Sequence, residues 1–222
     1  VNLVEIRLST GLINGINQID AIAISASTDS IQSKIYSVPF SESITLKPLG
    51  TEINSPFQEL APVITPDAGV LFFSRLGHPQ NKNGVDNTDI WKATMSRDKK
   101  YFTDVVYLDE PINDEYPNFV CSVTPDGTRM LLANEYIPNS TAKGGASIAL
   151  KTESGWKYPI YLPIKNYYNR SRFAHFALSA DRNVLLMCIE RDDSFGSADV
   201  YVSFFSNDSL WSEPKQLPKT IN

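Results

Sequence analysis

Three carboxylate pairs, Asp109-Glu110, Asp114-Glu115 and Asp192-Asp193, are the residues of this 222-residue chain best equipped to move protons. Two acids held at the right separation act as general acid and base on a glycosidic bond. Here all three pairs fall among turn formers, where acids serve solubility and turn geometry, and catalysis is not expected of them. A serine nucleophile is not expected either. There is no Gly-x-Ser-x-Gly elbow, and Gly144–Ser147 (GGAS) reads as a loop entering a strand. His175, in RFAHFALS, stands between two aromatics expected to face inward and reads as a hydrogen-bonded strand residue. His78, in RLGHPQNKNG, falls in a mobile loop with no evident partner.

Metal chemistry has one candidate. Asn81–Asp89 (NKNGVDNTD) is rich in oxygen ligands, and calcium takes six to eight oxygens. The spacing is not that of an EF-hand, and the stretch reads equally as a polar loop. Cys121 and Cys188, the two cysteines, sit in apolar runs and read as buried thiols used as small hydrophobes. A bridge between them needs an oxidising compartment and a close approach. Two Cys and two His at these spacings make no zinc site. No catalytic residue, cofactor or metal is expected.

The elements that carry these residues recur. Ala61–Arg75 (APVITPDAGVLFFSR), Tyr116–Asn134 (YPNFVCSVTPDGTRMLLAN) and Arg172–Cys188 (RFAHFALSADRNVLLMC) align on Pro66-Asp67, Pro125-Asp126 and Ala180-Asp181. Pro presets φ for a turn, Asp bonds back to nearby amides, and Gly127 supplies a permissive backbone. Short apolar runs follow each anchor: Leu71-Phe72-Phe73, Met130-Leu131-Leu132 and Leu185-Leu186-Met187. They are apolar on consecutive positions, as in strands covered on both faces. Asp89-Ile90-Trp91 and Asp199-Val200-Tyr201 open a third strand, with Ser147-Ile148-Ala149 as the weaker match in the second unit. Trp156-x-x-Pro159 and Trp211-x-x-Pro214 follow. Each unit closes on an Ile-Asn pair: Ile53-Asn54, Ile112-Asn113 and Ile221-Asn222, with Tyr168-Asn169 as a variant. The recurring Asp89 and Asp199 imply a structural job. Units of about four strands describe β-propeller blades. For the first unit the expected strands are Ala61–Thr65, Val70–Ser74, Asp89–Met95 and Val105–Leu108. The alternative is a β-sandwich with accidentally similar hairpins.

These segments resemble the WD40-like Pro-Asp repeats of TolB-type β-propellers over residues 34–222. The resemblance implies an all-β propeller from the cell envelope of a Gram-negative bacterium, periplasmic, outer-membrane-associated or secreted. It also implies association with protein partners or secretion machinery, and in many members a neighbouring peptidoglycan-binding domain. The second unit departs in lacking Asp-Ile-Tyr, the third in carrying Ala180 for Pro and Arg182 for Gly. Lys34–Asn54 reads as the back half of a blade, so the chain is expected to hold about three and a half four-stranded blades and to be a piece of a longer protein. The alternative is a complete four-bladed ring.

Residues 1–33 lack the blade pattern. Val4–Leu8 alternates as a strand, Gly11–Gly15 reads as a loop and Ile19–Ser25 as a second strand. INQIDAIAIS resembles the closing strand of discoidin-like jelly rolls. The expectation is the end of a preceding β-sandwich domain, or entry strands of the propeller, with a link near Ser27–Ser33.

Composition bounds the rest. Hydrophobic residues make up 42% and charged residues 20%, ordinary for a folded chain. Net charge is −5 with no basic stripe, which speaks against nucleic acid. No apolar run is long enough for a transmembrane helix, and no signal peptide is visible. The expected function is a non-catalytic scaffold for protein–protein interaction in an envelope or secretion-associated assembly. The alternatives are a glycan- or peptidoglycan-associated binding module and the propeller part of a hydrolase whose active site lies elsewhere. Loops 76–88, 137–145 and 192–197 vary while their frames repeat, and variable loops of repeat proteins gather on the binding face. Arg75, Tyr136, Arg191 and Phe195, in or beside them, are the expected partner contacts.

Overall fold

The computed structural model describes residues 4–7, 21–24, 47–98, 100–138, 144–206 and 210–222. The chain divides into two compact units, Val1–Leu46 and Lys47–Asn222. In the first, β1 (Val4–Arg7) pairs antiparallel with β2 (Ala21–Ile24), from Val4 opposite Ile24 to Arg7 opposite Ala21. The expected Gly11–Gly15 loop, the Ser27–Ser33 link and residues 34–46 of the expected half-blade lie outside the described residues.

The second unit is all-β and antiparallel. Its first sheet runs β3 (Gln58–Ile64), β4 (Val70–Leu76), β5 (Thr88–Met95) and β6 (Phe102–Tyr107), each strand paired with the next. The second runs β7 (Val120–Val123), β8 (Arg129–Ala133) and β9 (Ala146–Thr152). Its outer position is shared by β10 (Gly155–Trp156) and β11 (Ile160–Tyr161), both paired with β9. The third runs β12 (His175–Leu178), β13 (Val184–Ile189), β14 (Asp199–Phe204) and β15 (Lys215–Gln216). Each is an open up-and-down meander. Among the described residues no sheet closes on itself. Pro62 falls on edge strand β3 where the register shifts between Leu60 and Val63, a place where a missing N–H costs no ladder bond.

Successive sheets pack face to face. Phe72, Ile90, Leu108 and Ile112 of the first meet Val120, Met130, Leu132, Tyr136 and Ala149 of the second. Leu131, Ala146, Leu162 and Ile164 of the second meet Phe176, Leu185, Met187, Ile189, Tyr201 and Trp211 of the third. Neighbouring positions of β8 thus enter different cores: Met130 and Leu132 point back, Leu131 points forward. This is the physical content of an apolar run with no polar alternation.

The β3–β4, β7–β8 and β12–β13 turns are built alike. Thr65 Oγ1 donates to Asp67 Oδ1 (2.6 Å), and Asp67 accepts from the Gly69 amide (3.0 Å). Thr124 and Asp126 repeat this with the Thr128 amide (2.6 and 3.0 Å), and Ser179 and Asp181 with the Asn183 amide (2.5 and 3.2 Å). The same hydroxyl then accepts the amide that opens the second strand: Val70, Arg129 or Val184. Ser96 and Asp98 make the pair again between β5 and β6 (2.7 Å). The constant feature is a hydroxyl two residues before an acid. Proline and glycine are dispensable, which is why Ala180 and Arg182 leave the third turn intact. Arg182 holds φ 64°, close to Gly127 at 66°.

Candidate interaction surface

Because the strands alternate in direction, these acid turns lie at one end of each sheet. The β4–β5, β8–β9 and β13–β14 loops lie at the other, with the segments leading from one sheet to the next. That second end holds the variable loops, and buried polar side chains fix it.

Asp89, second in β5, and Asp199, first in β14, are buried. Asp89 accepts the Lys82 amide (2.5 Å) and the Tyr107 hydroxyl (2.8 Å). Asp199 accepts the Phe195 amide (2.5 Å) and Gln216 Nε2 (2.7 Å). Each acid therefore ties its loop to the outer strand. Burial raises the Asp89 pKa despite these donors. In the second sheet the backbone bond from Leu162 to Ala146 matches those from Leu108 to Ile90 and from Leu217 to Val200. The counterpart of Asp89 is therefore Gly145, and the counterpart of Ile90 is Ala146. The expected match at Ser147-Ile148-Ala149 is corrected by two residues. A Cβ at Gly145 would stand 3.0 Å from the Tyr161 ring, which fills the space an acid would need.

Asparagine closes the units. Asn113 Oδ1 accepts the Ile90 amide (2.8 Å), and its Nδ2 donates to the carbonyls of Ile90 (2.9 Å) and Leu108. Asn222 repeats the set with the Val200 amide (2.7 Å) and the carbonyls of Val200 (3.2 Å) and Leu217 (2.8 Å). Tyr168-Asn169 is not a variant of this clasp. Asn169 instead accepts the Glu190 amide (2.8 Å), at the end of β13.

Three of the four expected contact residues share one task in the frame. Arg75 donates to the carbonyls of Glu52 (2.8 Å) and Ile53 (3.4 Å), Tyr136 to that of Ile112 (2.7 Å), and Arg191 to that of Asn166 (2.9 Å). Ile53, Ile112 and Asn166 each stand four residues after a leucine: Leu49, Leu108 and Leu162. Each donor locks the preceding connection onto the following sheet. Arg75 also pairs with Glu59 (3.1 Å) and lies over the Trp91 ring at 4.6 Å. Arg75, Tyr136 and Arg191 are 4%, 3% and 9% exposed, whereas Phe195 is 51% exposed. Of the four, only Phe195 offers most of its side chain to a partner.

Around Phe195 the loops of the third sheet carry exposed rings and cations. Tyr168 is 37% and Phe173 68% exposed. Every one of the three rings has a cation against it: Arg191 at 4.2 Å from Tyr168, Arg172 at 5.8 Å from Phe173, and Lys219 at 4.8 Å from Phe195. The loops are cross-linked to one another. Arg170 pairs with Asp192, the Asp192 amide donates to the Tyr168 hydroxyl (3.1 Å), and Asn169 Nδ2 donates to the Phe173 carbonyl (3.1 Å).

The residues that could do chemistry are dispersed. Glu110 pairs with Lys82, Asp192 with Arg170, and Asp114 accepts the Tyr116 amide and Asn118 Nδ2. His78, read as lacking a partner, packs against Phe57 (4.8 Å) and Trp91 (4.5 Å), and burial lowers its pKa. His175 is exposed; of its aromatic neighbours Phe176 faces inward and Phe173 outward. Ser147 is buried and donates to the Asn134 carbonyl (2.9 Å). Asn81 Nδ2 bonds the carbonyls of Arg75 and Asn87, both at 2.7 Å, so this part of the candidate calcium loop serves the loop itself. Among the described residues no group of three or more His, Cys, Asp or Glu is placed to hold a metal ion. Cys121 and Cys188 are free thiols on opposite sides of the third sheet: Cys121 packs with the core between the second and third sheets, and Cys188 alternates away from Met187 and Ile189. Burial pushes the Cys121 thiol up to about 12. Among the described residues no helix is long and apolar enough to cross a membrane.

No family model and no curated protein matches the chain. Among solved structures, TolB from Acinetobacter baumannii is similar at 17% identity and a TM-score of 0.40, over 71% of this chain and 33% of that one. The chain thus spans about a third of that protein's length.

Proposed function

We propose that the three meanders are blades of a β-propeller that works as a non-catalytic scaffold for protein–protein interaction, in a bacterial envelope or secretion-associated assembly. The observation that carries the reading is the way each sheet meets the next. Phe72 and Leu131 stand seven residues after Thr65 and Thr124, and both are buried under the following sheet. Leu186, seven after Ser179, is half-buried, and its cross-strand partner is Val202. The third sheet thus carries an apolar face of the kind that the first two bury against a neighbour, as a blade inside a propeller does. The clasps from Arg75, Tyr136 and Arg191 hold the connections rigid, and rigid connections lower the entropy lost when loops bind. The envelope location rests on the resemblance of the repeats to TolB-type propellers.

Photo-crosslinking in cells that make the protein tests this. A photoreactive residue is placed at Gln80 or Phe195 on the loop end, and at Asp126 or Arg182 on the turn end. Protein adducts from the loop-end positions and none from the turn end are expected. Adducts confined to the turn end overturn the reading.

A further inference from the structure

We infer that the outer edge of the first sheet, along β6, takes up an extended peptide segment of a partner protein as an added strand, with a basic residue of that segment beside Asp109. The inference rests on the scaffold reading above and names the chemistry of one partner and the place where it docks. The outer edges of the three sheets differ. In the second sheet that position is split between β10 and β11, and in the third it is held by β15, each two residues long. Edges that short offer little for another chain to pair with. β6 has six residues, and among the described residues it pairs with β5 alone. The Leu108 amide donates to the Ile90 carbonyl (3.1 Å), and Trp91 stands opposite Tyr107. Backbone groups alternate in direction along an antiparallel strand, so the N–H and C=O groups of Val105 and Tyr107 point away from β5. A register shift between Lys92 and Thr94, with Asp104 at φ 51°, ends this row on its N-terminal side. Alternating donors and acceptors in a row are matched by another extended backbone.

A groove of about 520 Å³ follows the same edge, lined by Trp91, Val105, Val106, Tyr107, Gln80 and Asp109. Val105 and Tyr107 lie on the Trp91 face, and Val106, 47% exposed, alternates to the other. Side chains from both faces of one strand thus line the groove, so it runs along the strand edge. An added strand sends alternate side chains to the two faces, one set against Trp91, Val105 and Tyr107 and the other against Val106. Both linings select apolar residues. Asp109 is the one charged residue lining the groove. Among the described residues its carboxylate has no hydrogen bond or ion pair, whereas the neighbouring Glu110 pairs with Lys82. The other charges on these strands stand elsewhere. Lys92, cross-strand from Val106, is on the face away from Trp91, and Asp104 is at the register shift. Arg97 and Lys100 lie beyond the far end of β6, with Lys100 paired to Asp98. The open carboxylate therefore calls for a cation from the added strand. A second copy of this chain does not supply it. Antiparallel pairing of two β6 edges centred on Val105, Val106 or Tyr107 sets Tyr101, Thr103 or Val105 opposite Asp109.

The test is selection of random heptapeptides on the 222-residue chain, followed by titration and hydrogen exchange with the most enriched peptide. Expected are sequences that alternate apolar residues and carry Lys or Arg at one end. Binding should slow exchange of the Val105 and Tyr107 amides. N-methylation of the peptide at one alternate set of residues should weaken binding about ten-fold or more, and at the other set hardly at all, because only one row of its amides faces β6. Asp109→Lys should weaken binding about five-fold or more. That side chain is exposed, so the variant should melt at the wild-type temperature, and that measurement accompanies the titration. Exchange at Val105 and Tyr107 left unchanged by a bound peptide overturns the site. So do equal effects of the two N-methyl sets, enrichment without basic residues, or an affinity unchanged in Asp109→Lys. Protection of the same amides that rises with protein concentration and needs no peptide assigns the edge to a second copy and overturns the partner segment. Failure to enrich any peptide overturns this site alone when crosslinked adducts still form at the loop end in cells; loss of those adducts overturns the scaffold reading.

Discussion

Asn113 shows what one buried amide does when it stands in register. It completes β5 at Ile90 as an extra strand residue would, while belonging to a connecting segment. Its replacement by alanine strands the buried Ile90 amide and the Leu108 carbonyl, while the Ile90 carbonyl keeps its bond from the Leu108 amide. A buried group left without its partner costs about 1–3 kcal/mol, so Asn113→Ala should lower stability by about 2–4 kcal/mol for the pair. The urea midpoint with unchanged m-value measures it; a loss below about 0.5 kcal/mol, the range of neutral surface changes, contradicts the clasp. The recurrence of Ile-Asn was legible in the sequence because it is a repeated pair. Its job was not, because the partner of Asn113 lies 23 residues back. The same holds for Arg75, Tyr136 and Arg191. Residue type and loop position mark them as contacts, yet their acceptors are carbonyls 23, 24 and 25 residues earlier.

At the scale of the element, the hydroxyl–acid turn is the unit of construction. The hydroxyl of Thr65, Thr124 or Ser179 lowers the pKa of Asp67, Asp126 or Asp181 first, and the backbone amide two residues beyond the acid lowers it further. An acid whose folded pKa is depressed stabilises the fold above its unfolded value, near 4, and loses that contribution as pH falls through the folded value. Melting temperature should therefore fall below about pH 4, and Asp126→Asn should flatten that fall. An equally steep acid limb in the variant contradicts the assignment. Asp89 has the opposite sign. Burial raises its pKa, so its ionisation weakens the fold as pH rises through that value. The turns were legible from Pro-Asp because every bond in them spans at most five residues. The hydroxyl is the weaker signal beside proline and glycine, and the turn at Ser96-Asp98 has neither of those.

At the scale of the whole second unit, the order of burial tells which faces are covered. Leu132 lies in the core between the first and second sheets and is fully buried, whereas Leu186 stands half-buried on the open face of the third. Leu132→Ala should cost about 2–5 kcal/mol, the range for a buried leucine, and Leu186→Ala at most about 1.5 kcal/mol, since much less area leaves water. Chemical denaturation of the two variants compares them directly; equal costs mean that the Leu186 face is covered in solution.

The tight turns and the doubly covered second strand of each sheet could be read from residue order alone, because they depend on contacts between near neighbours and on a period of two; the first sheet's edge strands each begin three residues before the expected Ala61 and Val105. Which polar side chains the frame consumes, and which it leaves exposed, emerges only once the chain is folded. That choice depends on carbonyls and carboxylates delivered from distant segments, and no local pattern encodes their distance.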